Sequence, residues 1–327
     1  SSLIAFRLGA GAPADDGLRM VGAHTDSPCL RLKPNAVIKV HGYVKLGVEV
    51  YGGALLHPWF DRDLSLAGRV TVRRGDGTLA SVLVDLRRPV AVIPSLAIHL
   101  NREANDGNAI NKQTMLPALL ALGGEHHFDL DGLLAREVGK LGKRWQRAEI
   151  LASELSLYDT QPAAMVGVDE DFIAAARLDN LLSCHVALRA LVDSRAASTQ
   201  LVVCNDHEEV GSGSSAGARG NFLASVLARV AGGSEAFARA MVRSLLVSTD
   251  NAHGVHPNFA EKHDAQHGPV LNRGPVLKIN ANQSYASNSE SAAVLATAAA
   301  RAKVHLQRFV VRTDLGCGST IGPLTAA

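Results

Sequence analysis

Beyond about residue 160 the chain alternates short apolar strand-like runs with helical ones, and this alternation limits the possible folds more than any other feature. A helix is expected over roughly 170–193, followed by the strand Gln200-Leu201-Val202-Val203-Cys204. Helices near 220–231 and 234–245 come next, then a strand at Leu245-Leu246-Val247-Ser248-Thr249. The strand Gly274-Pro275-Val276-Leu277-Lys278-Ile279-Asn280, an Ala-rich helix at 289–302 and a strand at 305–312 complete the series. Apolar strands separated by helices predict a mainly parallel sheet covered by helices on both faces. The runs at 3–8 and 18–23 fit the same sheet.

Between about 36 and 160 the texture differs, with short strands and turn signals. Arg69-Val70-Thr71-Val72-Arg73 and Ala80-Ser81-Val82-Leu83-Val84-Asp85 flank Asp76-Gly77, a hairpin signature. Two helices are expected here, near 113–122 and 129–141, the second with Leu130, Leu133, Leu134, Val138 and Leu141 at helical spacing. The predicted fold class is α/β: a mainly parallel sheet sandwiched by helices, formed by 1–36 and 159–327, interrupted by a β-rich insert at 37–158. A length of 327 residues suits two such cores.

The composition removes several functions. Lys plus Arg number 33 and Asp plus Glu 31, a net charge of +2 that leaves no footprint for nucleic acid or an anionic membrane. Aromatics at 4% are too few for base-stacking platforms. No apolar run approaches the ~20 residues of a membrane span. Cys29, Cys184, Cys204 and Cys317 are scattered, which argues against disulfides and thiolate zinc sites and for a reducing, cytoplasmic compartment. Thirteen histidines against 4 cysteines favour imidazole if a metal is bound. The opening residues Ser1 to Leu8 read as the middle of a strand, and the chain stops soon after Gly316-Cys317-Gly318-Ser319. The natural protein is therefore expected to continue past both ends, and terminal targeting signals stay open.

Ligands of open α/β sheets gather at the carboxyl ends of the strands, where this chain places its polar clusters. One strand end delivers His24-Thr25-Asp26, another Asn205-Asp206-His207-Glu208-Glu209, and a third Asp250-Asn251-Ala252-His253. Residues i and i+2 of an extended chain face the same way, so Asp26 can accept a hydrogen bond from His24 and fix its tautomer. Asp179 lies between apolar segments in Ala176-Arg177-Leu178-Asp179-Asn180. Each cluster alone reads more simply as a turn, a solvated face or a helix N-cap. Together they suit a two-metal site with His, Asp and Glu donors, one carboxylate bridging ions ~3.5–4 Å apart. Adjacent Glu208 and Glu209 then divide the work, one ligating and the other taking a proton from water.

These residues resemble the aspartyl aminopeptidase family of dinuclear zinc exopeptidases. The resemblance is carried by Met20-Val21-Gly22-Ala23-His24-Thr25-Asp26-Ser27-Pro28, Arg177-Leu178-Asp179-Asn180-Leu181, and Asp206-His207-Glu208-Glu209-Val210-Gly211-Ser212. Asp250-Asn251-Ala252-His253-Gly254-Val255-His256-Pro257-Asn258, Pro94 to Asn101 and Gly316 to Pro323 match as well. It implies a cytosolic enzyme that removes N-terminal Asp or Glu from peptides. His24 and Asp250 would bind one zinc and Glu209 the other, with Asp179 bridging, Glu208 as general base and Asp26 orienting His24. Lys278 would meet the substrate's acidic side chain, and a cation in an apolar strand does need an anionic partner. An internal salt bridge or an exposed strand lysine is the alternative.

The resemblance also implies a tetrahedral dodecamer assembled through the β-rich insert, with His99 reaching a neighbouring subunit's active site. On its own residues, Ile98-His99-Leu100 reads as a core or edge segment. Tyr285 and His253 are placed with Lys278 and His99 as substrate-binding residues. His253 and His256 lie beside the ligands or on the substrate side, a purely structural role being equally open. The chain departs from the family at Ser284, where a basic residue is usual. The family's last zinc ligand, a histidine in a further C-terminal segment, is expected beyond Ala327. A polypeptide of only these residues is expected to hold the second zinc poorly. Manganese and cobalt accept the same donors. Rival readings are a neutral aminopeptidase or N-acyl deacylase on the same scaffold, and a non-catalytic peptide-binding assembly.

Overall fold

The computed structural model describes residues 1–107, 109–123 and 128–326. The chain begins with β1 (Leu3–Arg7), α1 (Pro13–Asp16) and β2 (Leu18–His24). There follow β3 (Cys29–Val40), β4 (Tyr43–Tyr51), β5 (Leu64–Arg73), β6 (Leu79–Asp85), β7 (Ala118–Leu122), α2 (Leu130–Gly139), β8 (Glu149–Asp159), β9 (Ala164–Val166) and β10 (Phe172–Ala174). The remainder is α3 (Leu178–Asp193), β11 (Thr199–Asn205), α4 (Phe222–Ala231), α5 (Ser234–Val242), β12 (Leu245–Ser248), β13 (Val276–Lys278), α6 (Ser289–Arg301), β14 (Gln307–Phe309) and α7 (Gly322–Ala326). Two compact units result, one of residues 1–27 and 177–327, the other of 28–176.

In the first unit the sheet order is β1-β11-β2-β12. β11 and β12 both run parallel to β2, and β1 closes one edge antiparallel to β11. Because side chains alternate between faces, Leu201 and Val203 join Leu18, Met20 and residues of α4 and α5 in one core, while Val202 and Cys204 join Ala23 and residues of α3 in another. Burial on both faces is why these strands read as unbroken apolar runs. The mainly parallel sheet between helices is thus present. β13 and β14 form a separate parallel pair.

The second unit holds a six-stranded sheet of order β6-β5-β8-β3-β4-β7, antiparallel throughout. Its core includes Leu30, Leu46, Leu64, Leu66, Leu134, Val138 and Leu157, with α2 contributing Leu134 and Val138. The hairpin about Asp76-Gly77 forms as expected, between β5 and β6.

Three expectations need correction. The segment at 113–122 ends in strand β7 rather than forming a helix. Pro117 stands inside that segment, where it removes a helical N–H and clashes with the preceding turn, and Ala118–Leu122 pairs with β4 instead. The helix expected from about 170 starts at Leu178, because Phe172–Ala174 pairs with β9. The unit boundaries fall at 27/28 and 176/177, not at 36/37 and 158/159. β3 pairs with β4 from Cys29 through to Val40, so strand pairing carries the insert past the change in composition. Among the described residues no helix is long and apolar enough to cross a membrane.

Candidate metal centre and active site

The last residue of β2 sets the geometry. His24 is 1% exposed, and its Nε2 lies 3.5 Å from Asp179 Oδ1 and 3.5 Å from Asp250 Oδ1. Its Nδ1 lies 3.0 Å from the backbone carbonyl of Asp26. Donation from Nδ1–H to that carbonyl leaves the Nε2 lone pair facing the two carboxylates, the tautomer a metal requires. The Asp26 carboxylate lies beside the same nitrogen, 3.4 Å from Nδ1, and has further partners. It accepts the backbone N–H of Glu208 and of Glu209, each at 3.1 Å. Asp26 therefore ties the end of β2 to the turn after β11 that carries both glutamates.

Asp179 and Asp250 arrive from other elements. Asn180 is fully buried and donates through Nδ2 to the Thr249 carbonyl at 2.9 Å, which fastens the start of α3 to the segment after β12. Ser27 Oγ donates to the Asp179 carbonyl at 2.7 Å. One ligand atom from each of His24, Asp179 and Asp250 lies within 4.8 Å of the others. Zinc holds N and O donors at about 2.0–2.2 Å in a tetrahedron, which puts donor atoms roughly 3.3–3.6 Å apart. The observed separations from Nε2 fit that spacing. One imidazole and two carboxylates also match zinc's donor chemistry.

The electrostatics of these residues favour a positive charge at this point, where a proton on Nε2 and a metal ion would compete for the same place. Burial disfavours the charged form of His24, but Asp179, Asp250 and Asp26 outweigh it and push its pKa up to about 12. Glu209 is pushed up to about 7, first by burial and then by the charges of Asp179, Glu208 and Asp26, with His24 opposing. Burial also works against ionised Asp250, yet His24 and Lys278 hold its carboxyl below the ordinary range. So many carboxylates in one concavity call for a cation. Glu209 stands outside the three-residue cluster but lines the same cavity of about 210 Å³, as do Glu208, Lys278, Tyr285 and His253.

Glu208 is gripped by the loop before α7. Its Oε1 faces the backbone N–H of Thr320 at 2.7 Å, Thr320 Oγ1 at 3.2 Å and Ser319 Oγ at 3.4 Å. Thr320 Oγ1 also meets the buried Ser212 Oγ at 2.7 Å. Ile321 seats this loop against β2, where a Cβ on Gly22 would come 3.1 Å from Ile321 Cγ2. The opposite wall is less acidic. Lys278, at the end of β13, donates to the Asn251 carbonyl at 2.9 Å and sits 5.4 Å from the centre of the Tyr285 ring. Tyr285 donates to Cys317 Sγ at 2.7 Å, and Cys317 Sγ is 3.8 Å from His253 Nε2. Among the described residues Lys278 has no carboxylate within salt-bridge distance.

The structure thus gathers His24, Asp26, Asp179, Glu208, Glu209, Asp250, His253, Lys278 and Tyr285 into one region of the first unit. His99 belongs to the second unit, in an exposed turn, and His256 is exposed against Phe259. Sequence reasoning assigned no role to Ser212, Ser319, Thr320, Asn180 or Cys317. The signal for them was the motif itself: Asn180, Ser212, Cys317, Ser319 and Thr320 all stand inside the segments that carry the family resemblance.

Comparison with known proteins gives a consistent result. A family model described as aminopeptidase I zinc metalloprotease (M18) matches residues 1–327. The chain is 58% identical over 328 residues to the probable M18 family aminopeptidase 2 of Ectopseudomonas mendocina (strain ymp), covering 100% of this chain and 76% of that protein. Among solved structures, one from the cryo-EM structure of the Ape4 and Nbr1 complex superposes with a TM-score of 0.94 at 40% identity, covering 100% of this chain and 67% of the other. The S. cerevisiae mApe1 dodecamer gives a TM-score of 0.81 at 29% identity, over 99% and 74%. A zinc-type donor cluster at the strand ends, inside a fold and a sequence shared throughout with these proteins, makes the chain a member of the M18 family of zinc aminopeptidases.

Proposed function

We propose that the enzyme releases acidic residues, Asp and Glu, from the N-termini of peptides. The observation that carries this reading is Lys278, a cation on the wall of the metal-centre cavity that Asp250 feels at a distance but that has no carboxylate within salt-bridge distance among the described residues. A substrate carboxylate would give it the direct ion pair it lacks, and Tyr285 and His253 line the same cavity. His24, Asp179, Asp250 and Glu209 would hold two zinc ions per chain, Asp179 between them. When bound, zinc lowers the pKa of water and polarises the scissile carbonyl.

The chain's own residues do the rest. Asp26 keeps His24 in its ligating tautomer and holds the Glu208-Glu209 turn in place. Glu208 acts as general base: with Oε1 occupied by the Thr320 and Ser319 donors, Oε2 takes the proton from the attacking water. The same carboxyl then returns a proton to the leaving amine nitrogen. We also assign the β-rich unit to homo-oligomerisation, a dodecamer as in the mApe1 relative, with His99 offered to a neighbouring subunit's site. Four free cysteines support a reducing, cytoplasmic setting.

The test is a panel of peptides or amides beginning with Asp, Glu, Leu or an N-acylated residue. Acidic substrates should be cleaved with the highest kcat/KM, and Lys278→Ala should depress Asp turnover far more than Leu turnover. Equal losses on both would remove Lys278 from specificity. Preference for Leu or for the N-acyl substrates would instead establish the neutral aminopeptidase or deacylase reading.

A further inference from the structure

The second unit carries a concavity of its own, of about 320 Å³, where the β5–β6 turn meets the short helical turn Lys143–Trp145 that precedes β8. Its wall holds Arg74, Lys143, Arg144 and Arg147, with Gln146 and one carboxylate, Asp76. Four cations against one anion give a local charge of about +3 in a chain whose total is only +2. Neighbouring arginines of the same strand are neutralised, Arg73 by Glu149 at 2.9 Å and Arg69 by Glu154 at 3.6 Å. None of the four cavity cations has a carboxylate within salt-bridge distance among the described residues. Asp76 is turned to Thr78, whose backbone N–H and hydroxyl reach its Oδ1 at 2.9 and 2.6 Å.

The cluster is also pre-shaped. Trp145 is 6% exposed, and its ring is faced by the guanidinium of Arg144 at 4.8 Å and that of Arg74 at 5.4 Å. Stacking on a buried indole restrains both planes, so less freedom is lost when they bind a ligand. Arg74 Nε is shielded from solvent and has no acceptor among the described residues. Planar guanidinium forks beside a lysine are suited to phosphate oxygens. With two guanidiniums already against the indole, the ring is not offered to a nucleobase, which argues against a nucleic-acid surface.

We infer that this concavity binds a compact polyphosphate anion, a di- or triphosphate group carried free or on a nucleotide. The site lies outside the metal centre and does not depend on the catalytic reading. Calorimetric titration of the zinc-loaded enzyme with pyrophosphate, tripolyphosphate and ADP tests it, sodium sulfate at matched ionic strength serving as control. Zinc content is measured before and after, because these anions also chelate metal. Saturable binding of one anion per chain is expected, weakening as NaCl is raised. The exposed pair Lys143→Glu/Arg147→Glu should weaken it at least tenfold while peptidase rate and zinc content stay unchanged. Binding of ADP comparable to pyrophosphate identifies the diphosphate as the recognised group in either source; binding of pyrophosphate alone restricts the source to the free anion. Absence of saturable binding, or equal binding by the variant, overturns the inference. So does a change in the variant's sedimentation state without added anion, which would assign the surface to an acidic face of a second copy.

Discussion

Replacing Thr320 by Val tests whether the loop before α7 aims Glu208, the base proposed above. The substitution removes Oγ1, which lies 3.2 Å from Glu208 Oε1, but keeps the backbone N–H at 2.7 Å and the side-chain shape. A hydrogen bond to a charged group contributes about 1.5–3 kcal/mol. This one is long and competes with the 2.7 Å contact to Ser212, so the lower end applies. A loss of about 1.5 kcal/mol from the transition state is roughly tenfold in kcat. KM for an Asp substrate should hardly move, since Lys278 and Tyr285 are untouched. Stability should also fall by about 1–3 kcal/mol, because the buried Ser212 hydroxyl loses its partner. Rates are therefore measured well below the melting temperature, with zinc content checked. Thr320→Ser, which restores the hydroxyl, should recover most of the rate. An unchanged kcat in Thr320→Val, or failure of Thr320→Ser to rescue, would refute the reasoning.

Two further perturbations probe other levels of the structure. Asp26→Ala removes the acceptor of two backbone N–H groups; zinc affinity should drop by roughly 10–100-fold, read by competition with a chromophoric chelator. Unaltered affinity would show that the Asp26 carbonyl alone positions His24. Leu66→Ala empties a site that is 0% exposed in the β-rich core and should cost about 2–5 kcal/mol. A urea melt should show it as a lower midpoint for that unit, and a shift below about 1 kcal/mol would mean the core collapses around the gap.

Much of the catalytic unit is legible in the chain because its physics is local. A strand buried on both faces must be apolar throughout, as Leu201 to Cys204 are, and its end must then release the chain into polar residues. His24 closes β2, Glu208 and Glu209 come just after β11, and Asp250 stands just after β12. The grip on Glu208 is not local: Thr320 lies 112 residues away, and small hydroxyl residues in a loop do not announce what they will hold. The Asp26 carboxylate had the same problem, since its partners are backbone N–H groups that every residue possesses. In the insert, Ala118 to Leu122 are good helix formers placed in a strand by Pro117 and by pairing with β4. The cationic concavity was hidden by averaging, because near-neutral total charge says nothing about where four of 33 cations gather.

The central claim, a zinc aminopeptidase whose proton transfers pass through Glu208, is tested most directly by Glu208→Gln. The amide keeps the shape and still accepts the Thr320 N–H through its oxygen, but it cannot take a proton from water. Turnover of an Asp substrate should fall by about 100- to 10,000-fold, with zinc content equal to that of the wild type. A near-wild-type rate at full zinc occupancy would remove Glu208 as the base, and loss of zinc in step with activity would make it a ligand instead.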